Sequence, residues 1–204
     1  MVRRVYFAFH YKDLLEGRAD MVHDCWLKQD SHGFWYPSFW DAAKAVGENA
    51  IRALVDFEIV NTSVTVVLVG SRTYGRTWVR HEIAKSLENG NGLLAVHING
   101  IPDRNQQTTA NGPNPLDFMS FRVDADAGTV RLWELGQDGH SASPEWITCK
   151  GVSPIPVERF RYDLKGKTEG PLSDLFPIYD WSSDNGCADL RRWIEAASGT
   201  PVQC

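Results

Sequence analysis

Five side chains that could do chemistry stand close together in S-R-T-Y-G-R-T-W-V-R-H-E, which runs from Ser71 to Glu82. Ser71, Tyr74, Trp78, His81 and Glu82 gather hydroxyl, aromatic, imidazole and carboxylate groups, and a carboxylate in such company can move a proton or stabilise a positive charge. Spacing alone favours a plainer reading of Glu82. An acidic residue in the first turns of a helix is favoured by the helix dipole, and Lys85 at i+3 can pair with it, so most such residues are solvated. The neighbouring polar and aromatic groups are what weigh towards a site.

The elements that must position these groups are legible on either side. Residues 63–69 and 93–98 are apolar runs rich in β-branched residues, so the stretch between them is the helix of a strand, helix, strand unit, the building block of parallel sheets. Thr77 fits the N-cap and Gly90 the residue after the last turn. Val79, Ile83 and Leu87 then form the buried stripe, which leaves His81, Glu82 and Lys85 on an exposed face. The loop from Gly70 to Thr77 lies beyond the carboxyl end of its strand, where ligands of open parallel sheets collect.

The rest of the chain fits one body with an α/β core over 1–112 and a C-terminal elaboration over 113–204. Arg3 to Phe9 reads as a central strand, followed at its exit by His10 and Tyr11. A helix is expected from about Asp13 to Leu27, with Leu14, Met21, Val22 and Trp26 inward. Residues 29–38 read as a loop carrying Phe34, Trp35 and Tyr36. A second helix runs from a Ser38 cap to about Ile59, with Trp40, Ala43, Ala50, Ile51, Leu54 and Val55 on one face. No clear strand separates these two helices. Past the polar linker 100–115, alternation around D-A-D-A-G predicts a hairpin of Phe121 and Val123 with Val130 and Leu132, and 146–149 a third strand. Residues 154–177 read as mostly irregular. A short terminal helix over 187–197 turns Leu190, Trp193 and Ile194 inward.

Composition narrows the function. A formal charge of −5 with no basic block argues against nucleic acid as a partner. The scattered cysteines Cys25, Cys149, Cys187 and Cys204 lack a C-x-x-C pair, and no signal peptide or membrane-spanning run is evident, which points to a reducing cytoplasm and no membrane. Histidine spacing fits no metal site, so none is expected. G-N-G with Ala95 lies between helix and strand, the reverse of a dinucleotide fingerprint, and no phosphate-binding loop or nucleophile elbow is present. Most of the eight tryptophans are expected in the core; Trp40 and Trp78, beside polar loops, are the candidate substrate contacts.

Several separated stretches carry a resemblance. V-Y-F-A-F-H-Y (5–11), N-T-S-V-T-V-V-L-V-G-S-R-T-Y-G-R-T-W-V-R-H-E-I (61–83), G-N-G-L-L-A-V-H-I-N, G-P-N-P-L-D-F and the late Y-D-W resemble the TIR-like family, and within it the TIR-like subunit of Thoeris antiphage systems. The resemblance implies a flavodoxin-like parallel sheet flanked by helices, here with an appended C-terminal hairpin and short helix. Many TIR members cleave NAD at the nicotinamide glycosidic bond with a helix glutamate preceded by a Ser, Tyr and Trp pattern. Carried over, Glu82 is the catalytic carboxylate; Ser71, Tyr74, Trp78 and His81 accompany it, and Phe9, His10 and Tyr11 form the near wall of the nucleotide pocket. Ala8 departs from the family by standing where many relatives have Ser.

The implied reaction takes NAD as substrate and needs no metal or added cofactor. Breaking the bond develops oxocarbenium character that a carboxylate can stabilise, and nicotinamide leaves neutral, without an acid. One hypothesis is therefore an antiphage sensor enzyme. A phage-derived trigger protein would activate it, and a cyclic ADP-ribose-type product or ADP-ribose conjugate would reach a separate effector as a diffusible nucleotide. TIR relatives commonly complete their sites with a second copy, which implies a homo-oligomer. The other hypothesis is a non-catalytic TIR-like adaptor acting by self-association; fold alone does not separate the two.

Overall fold

Three apolar segments, β1 (Val5–Phe9), β2 (Val64–Val69) and β3 (Gly92–His97), pair in parallel in that order, with Val5 opposite Val64 and Val64 opposite Gly92. The computed structural model describes residues 4–29, 47–136, 145–160, 164 and 166–199. Within these residues the first sheet has a fourth parallel strand, β9 (Ile178–Asp180), beside β3. Sequence patterning left that segment unassigned, because three residues after a proline give too short a run to show a period. No strand stands between the helices that link β1 and β2 among the described residues.

Strand alternation divides the core in two. Val5, Phe7, Val64, Val66, Leu68, Leu94 and Val96 face helices α2 (Arg18–Gln29) and α5 (Gly186–Ala197), meeting Val22, Trp26, Leu190, Trp193 and Ile194. Ala8, Val67, Val69, Leu93 and Ala95 face the other way, onto Val79, Ile83 and Leu87 of α4 (Thr77–Asn89). A second, antiparallel sheet closes over α4. Its hairpin is β4 (Met119–Asp124) with β5 (Thr129–Leu135), flanked by β6 (Trp146–Thr148), β7 (Ile155–Pro156) and β8 (Glu169–Pro171). Phe121, Val130 and Leu132 of that hairpin share one cluster with Ile83 and Val67. The architecture is α/β and flavodoxin-like, with the parallel sheet flanked by helices.

Three local expectations change. The single helix expected over 13–27 is two, α1 (Tyr11–Leu15) and α2, because Gly17 takes φ +82° and turns the chain between them. That turn re-phases the helix: Val22 and Trp26 are buried, but Met21 is 45% exposed. Arg76, not Thr77, occupies the N-cap of α4. The second helix is described from Glu48 to Val60 as α3, with Ile51, Val55 and Ile59 buried. Its expected start at Ser38, together with Trp40, Ala43 and the aromatic run 34–36, lies outside the described residues.

Cys25 of α2 and Cys187 of α5 join as a disulfide, and Cys149 is a buried free thiol. Spacing gave no sign of that pairing, which a reducing compartment does not favour. No helix among the described residues is long and apolar enough to cross a membrane.

Candidate active site

The carboxyl ends of β1 and β2 lie side by side, so the chain leaving Phe9 and the loop leaving Val69 form the two lips of one crevice. A buried carboxylate locks these lips together. Asp13, on the first turn of α1, is 4% exposed and sits against Gly70, where a Cβ would overlap its carboxylate. Thr73 accepts a hydrogen bond from Gly70 N (2.9 Å) and points its hydroxyl towards Asp13 Oδ2 (3.5 Å). Burial pushes the Asp13 carboxyl up to about 6, with Arg18 and the Thr73 contact working against it.

From this crevice opens a pocket of about 530 Å³, lined by Phe9, His10 and Tyr11 on one side and by 75–79, His81 and Glu82 of the α4 entry on the other; Arg52 of α3 completes it. The volume falls in the range of about 300–1,000 Å³ usual for small-molecule sites. Glu82 is 5% exposed, not on the exposed face that helical periodicity assigned to it. A single buried stripe belongs to a helix covered on one face. α4 instead has the parallel sheet, α3 and the antiparallel hairpin around it, so residues 79–84 are all buried.

Glu82 Oε1 accepts a hydrogen bond from the Tyr6 hydroxyl at 2.8 Å, and Oε2 is buried with no hydrogen-bond partner among the described residues. Burial pushes the Glu82 carboxyl up to about 8, against the pull of the Tyr6 hydrogen bond. The carboxyl therefore rests mostly neutral at pH 7.

His81 bridges the pocket to α3. Its Nε2 lies 3.3 Å from Asp56 Oδ1 and its Nδ1 lies 3.4 Å from Arg52 Nη1, so the neutral ring donates to the carboxylate and accepts from the guanidinium. Burial, then Arg52, holds this imidazole below its usual range. Trp78 meets the His81 ring edge-on at 5.9 Å, and the Arg52 guanidinium lies 5.5 Å from the Trp78 ring centre. His10 is pushed down to about 4 by burial and then by Arg76, Arg72 and Lys12, so it too is neutral at pH 7.

Of the residues singled out in the sequence, Phe9, His10, Tyr11, Trp78, His81 and Glu82 come together on the pocket wall, while Ser71 and Tyr74 do not. Ser71 is exposed; its hydroxyl accepts from Asn99 Nδ2 (2.9 Å) and meets Thr109 Oγ1 (3.1 Å), tying the loop to the segment after β3. Tyr74 packs on Phe118, ring centres 5.1 Å apart. Both brace the loop from outside. Trp40 lies outside the described residues. Sequence reasoning missed Tyr6, Arg52 and Arg76. A tyrosine inside a buried strand needs a partner for its hydroxyl, which was a usable signal for Tyr6; Arg52 sits between core positions of α3 with no local mark. No group of side chains among the described residues could hold a metal ion.

Comparison with known proteins covers this crevice and the rest of the chain. A family model described as "Thoeris protein ThsB, TIR-like domain" matches residues 6–103, which include every pocket residue above. A curated relative from Bacillus cereus (strain MSX-D12), named "Putative cyclic ADP-D-ribose synthase ThsB1", is 34% identical over 198 residues, 95% of this chain and 100% of that protein. The chain belongs to the ThsB family of TIR-like Thoeris proteins.

Proposed function

We propose that this chain cleaves NAD at the bond between ribose and nicotinamide and closes the ADP-ribosyl part into a cyclic ADP-ribose-type signal. The observation that carries the reading is Glu82, a buried carboxyl on a pocket wall with one oxygen left unbonded by the described residues. Phe9, Tyr11 and Trp78 offer flat apolar surfaces for nicotinamide or adenine, and Arg52 and Arg76 offer positive charge to the diphosphate. Once ionised, Glu82 opposes the positive charge that grows on the ribose as the C–N bond breaks and its electron pair returns to the nicotinamide nitrogen. Nicotinamide leaves as a neutral base. A nucleophile within the same molecule then bonds to the ribose carbon and closes a ring, its proton passing to solvent; attack by water would instead give linear ADP-ribose. The Bacillus cereus relative is named for a cyclic product, which supports the same choice here.

The reading brings its setting with it: a phage-derived trigger, a diffusible nucleotide, a separate effector, and assembly with a second copy of the chain. Mass spectrometry of NAD incubated with the protein and lysate of infected cells tests it. Release of nicotinamide with a cyclic product, lost in Glu82→Gln, is expected. No NAD loss under any lysate, with unimpaired self-association, would replace the enzyme by an adaptor.

A further inference from the structure

Tyr6 is a polar side chain on the strand face that packs against α4, and it is partly buried against that cluster. Strand alternation sends Val5 and Phe7 to the opposite layer, so Tyr6 and Ala8 are the β1 residues that reach the helix carrying Glu82. Burial, then the nearby Glu82, keeps the Tyr6 hydroxyl well above the usual phenol range, so it holds its proton and donates at 2.8 Å to Glu82 Oε1. The other groups around the carboxyl are engaged elsewhere. Arg52 and Asp56 each contact the His81 ring, and Arg80 donates to Leu135 O and pairs with Glu134.

We propose that Tyr6 is a positioning residue for Glu82: its hydroxyl occupies Oε1, fixes the carboxyl plane, and leaves Oε2 as the oxygen that meets the ribose. This rests on the reading of Glu82 as the acting carboxylate. A carboxyl held by one oxygen keeps a defined direction, whereas a free one on a three-bond side chain samples several rotamers, and small losses of alignment cost turnover steeply. The same hydrogen bond favours the ionised form of Glu82, because an O–H donor binds a carboxylate more strongly than a neutral acid. Tyr6 thus acts on both the aim and the charge of Glu82.

Tyr6→Phe keeps the ring and removes only the donor. The expected result under triggered conditions is a kcat lowered about 10- to 100-fold with KM changed by less than about threefold. The rising limb of the pH profile should move up by about one pH unit, since the lost hydrogen bond favoured the charged form. Infrared difference spectra against Glu82→Gln follow the protonated carboxyl band without needing turnover, and the same upward move is expected there. Site-specific 3-fluorotyrosine at position 6, a stronger donor that keeps the fold, should move both titrations down. Full turnover by Glu82→Gln would sink the function proposed above. An inactive Glu82→Gln beside a Tyr6→Phe with unchanged kcat and unchanged titrations would sink the Tyr6 assignment alone.

Discussion

Glu82→Gln should make the folded protein more stable as pH rises, even as it removes activity. The Glu82 carboxyl is 5% exposed and is pushed from 4.5 to about 8 by burial. Below 4.5 both folded and unfolded chains hold the proton, and Glu and Gln are near-isosteric neutral groups, so the two proteins should differ by less than about 1 kcal/mol. Between 4.5 and about 8 the unfolded chain has lost the proton while the folded chain keeps it. Unfolding is then favoured by each step in pH, and the stability that protonated Glu82 contributes is lost as pH rises towards its folded value. At 1.36 kcal/mol per pH unit the difference reaches at most about 5 kcal/mol above pH 8.

Urea unfolding of both proteins at several pH values reads this directly. With an m-value of about 3 kcal/mol/M, the Gln variant's midpoint should exceed the parent's by up to about 1.7 M at pH 9, and should converge with it near pH 4. Asp13, whose carboxyl is pushed up to about 6, and the neutral His10 and His81 titrate in both proteins and cancel in the difference. A difference that is flat with pH, or a parent more stable than the variant at pH 9, would refute the buried, neutral carboxyl.

Gly70→Ala places a Cβ into the Asp13 carboxylate, so it should destabilise the fold by about 1–3 kcal/mol, measured as a lower Tm, and weaken NAD binding by displacing the loop into α4. Truncation at Gly112 removes β9 from the edge of β3 and α5 from the Trp26 layer; the fragment 1–112 should be insoluble, and a soluble, cooperatively melting fragment would contradict this. If assembly completes the site, NAD turnover should track association state rather than total concentration, and full-speed turnover by a dilute monomer without trigger, checked by light scattering, would exclude that control.

Period and composition carried the parallel strands and α4, because residues 64–69 and 92–97 are buried on both faces and so read as continuous apolar runs. They also carried the hairpin and the terminal helix, where Leu190, Trp193 and Ile194 turn inward. Contacts distant in sequence were not legible. β9 exists because three residues pair with β3 some eighty positions earlier, and Met21 is exposed because Gly17 shifts the helical phase. The pocket divides in the same way. His10, Tyr11, Trp78 and Glu82 flank strand ends whose position the sequence shows, whereas Arg52 arrives from α3, and Ser71 and Tyr74 turn to Asn99 and Phe118, partners no local pattern names. Glu82 itself was assigned to an exposed face because a one-stripe rule cannot see a helix covered on several sides.

On the proposed NAD reading, a carboxyl that rests neutral in the free protein has a consequence for binding. The nicotinamide ring of NAD carries a positive charge until the bond to ribose breaks. With a value of about 8, about 90% of Glu82 holds its proton at pH 7 in the free protein. A cation brought against Oε2 favours the ionised form, and lowering the value by about two pH units would empty most of that proton into solvent. NAD binding should therefore release about 0.8 proton at pH 7 and tighten as pH rises towards 8. Calorimetric titration with a non-cleavable carbocyclic NAD analogue, in phosphate and in Tris, measures that proton through the difference in buffer ionisation heat. NADH, whose reduced ring is neutral, serves as the control and should release almost none. The release should vanish in Glu82→Gln while the adenine and diphosphate contacts still give binding. Equal heats in both buffers for the cationic analogue, or the same release with NADH, would show that the ring charge does not meet Glu82.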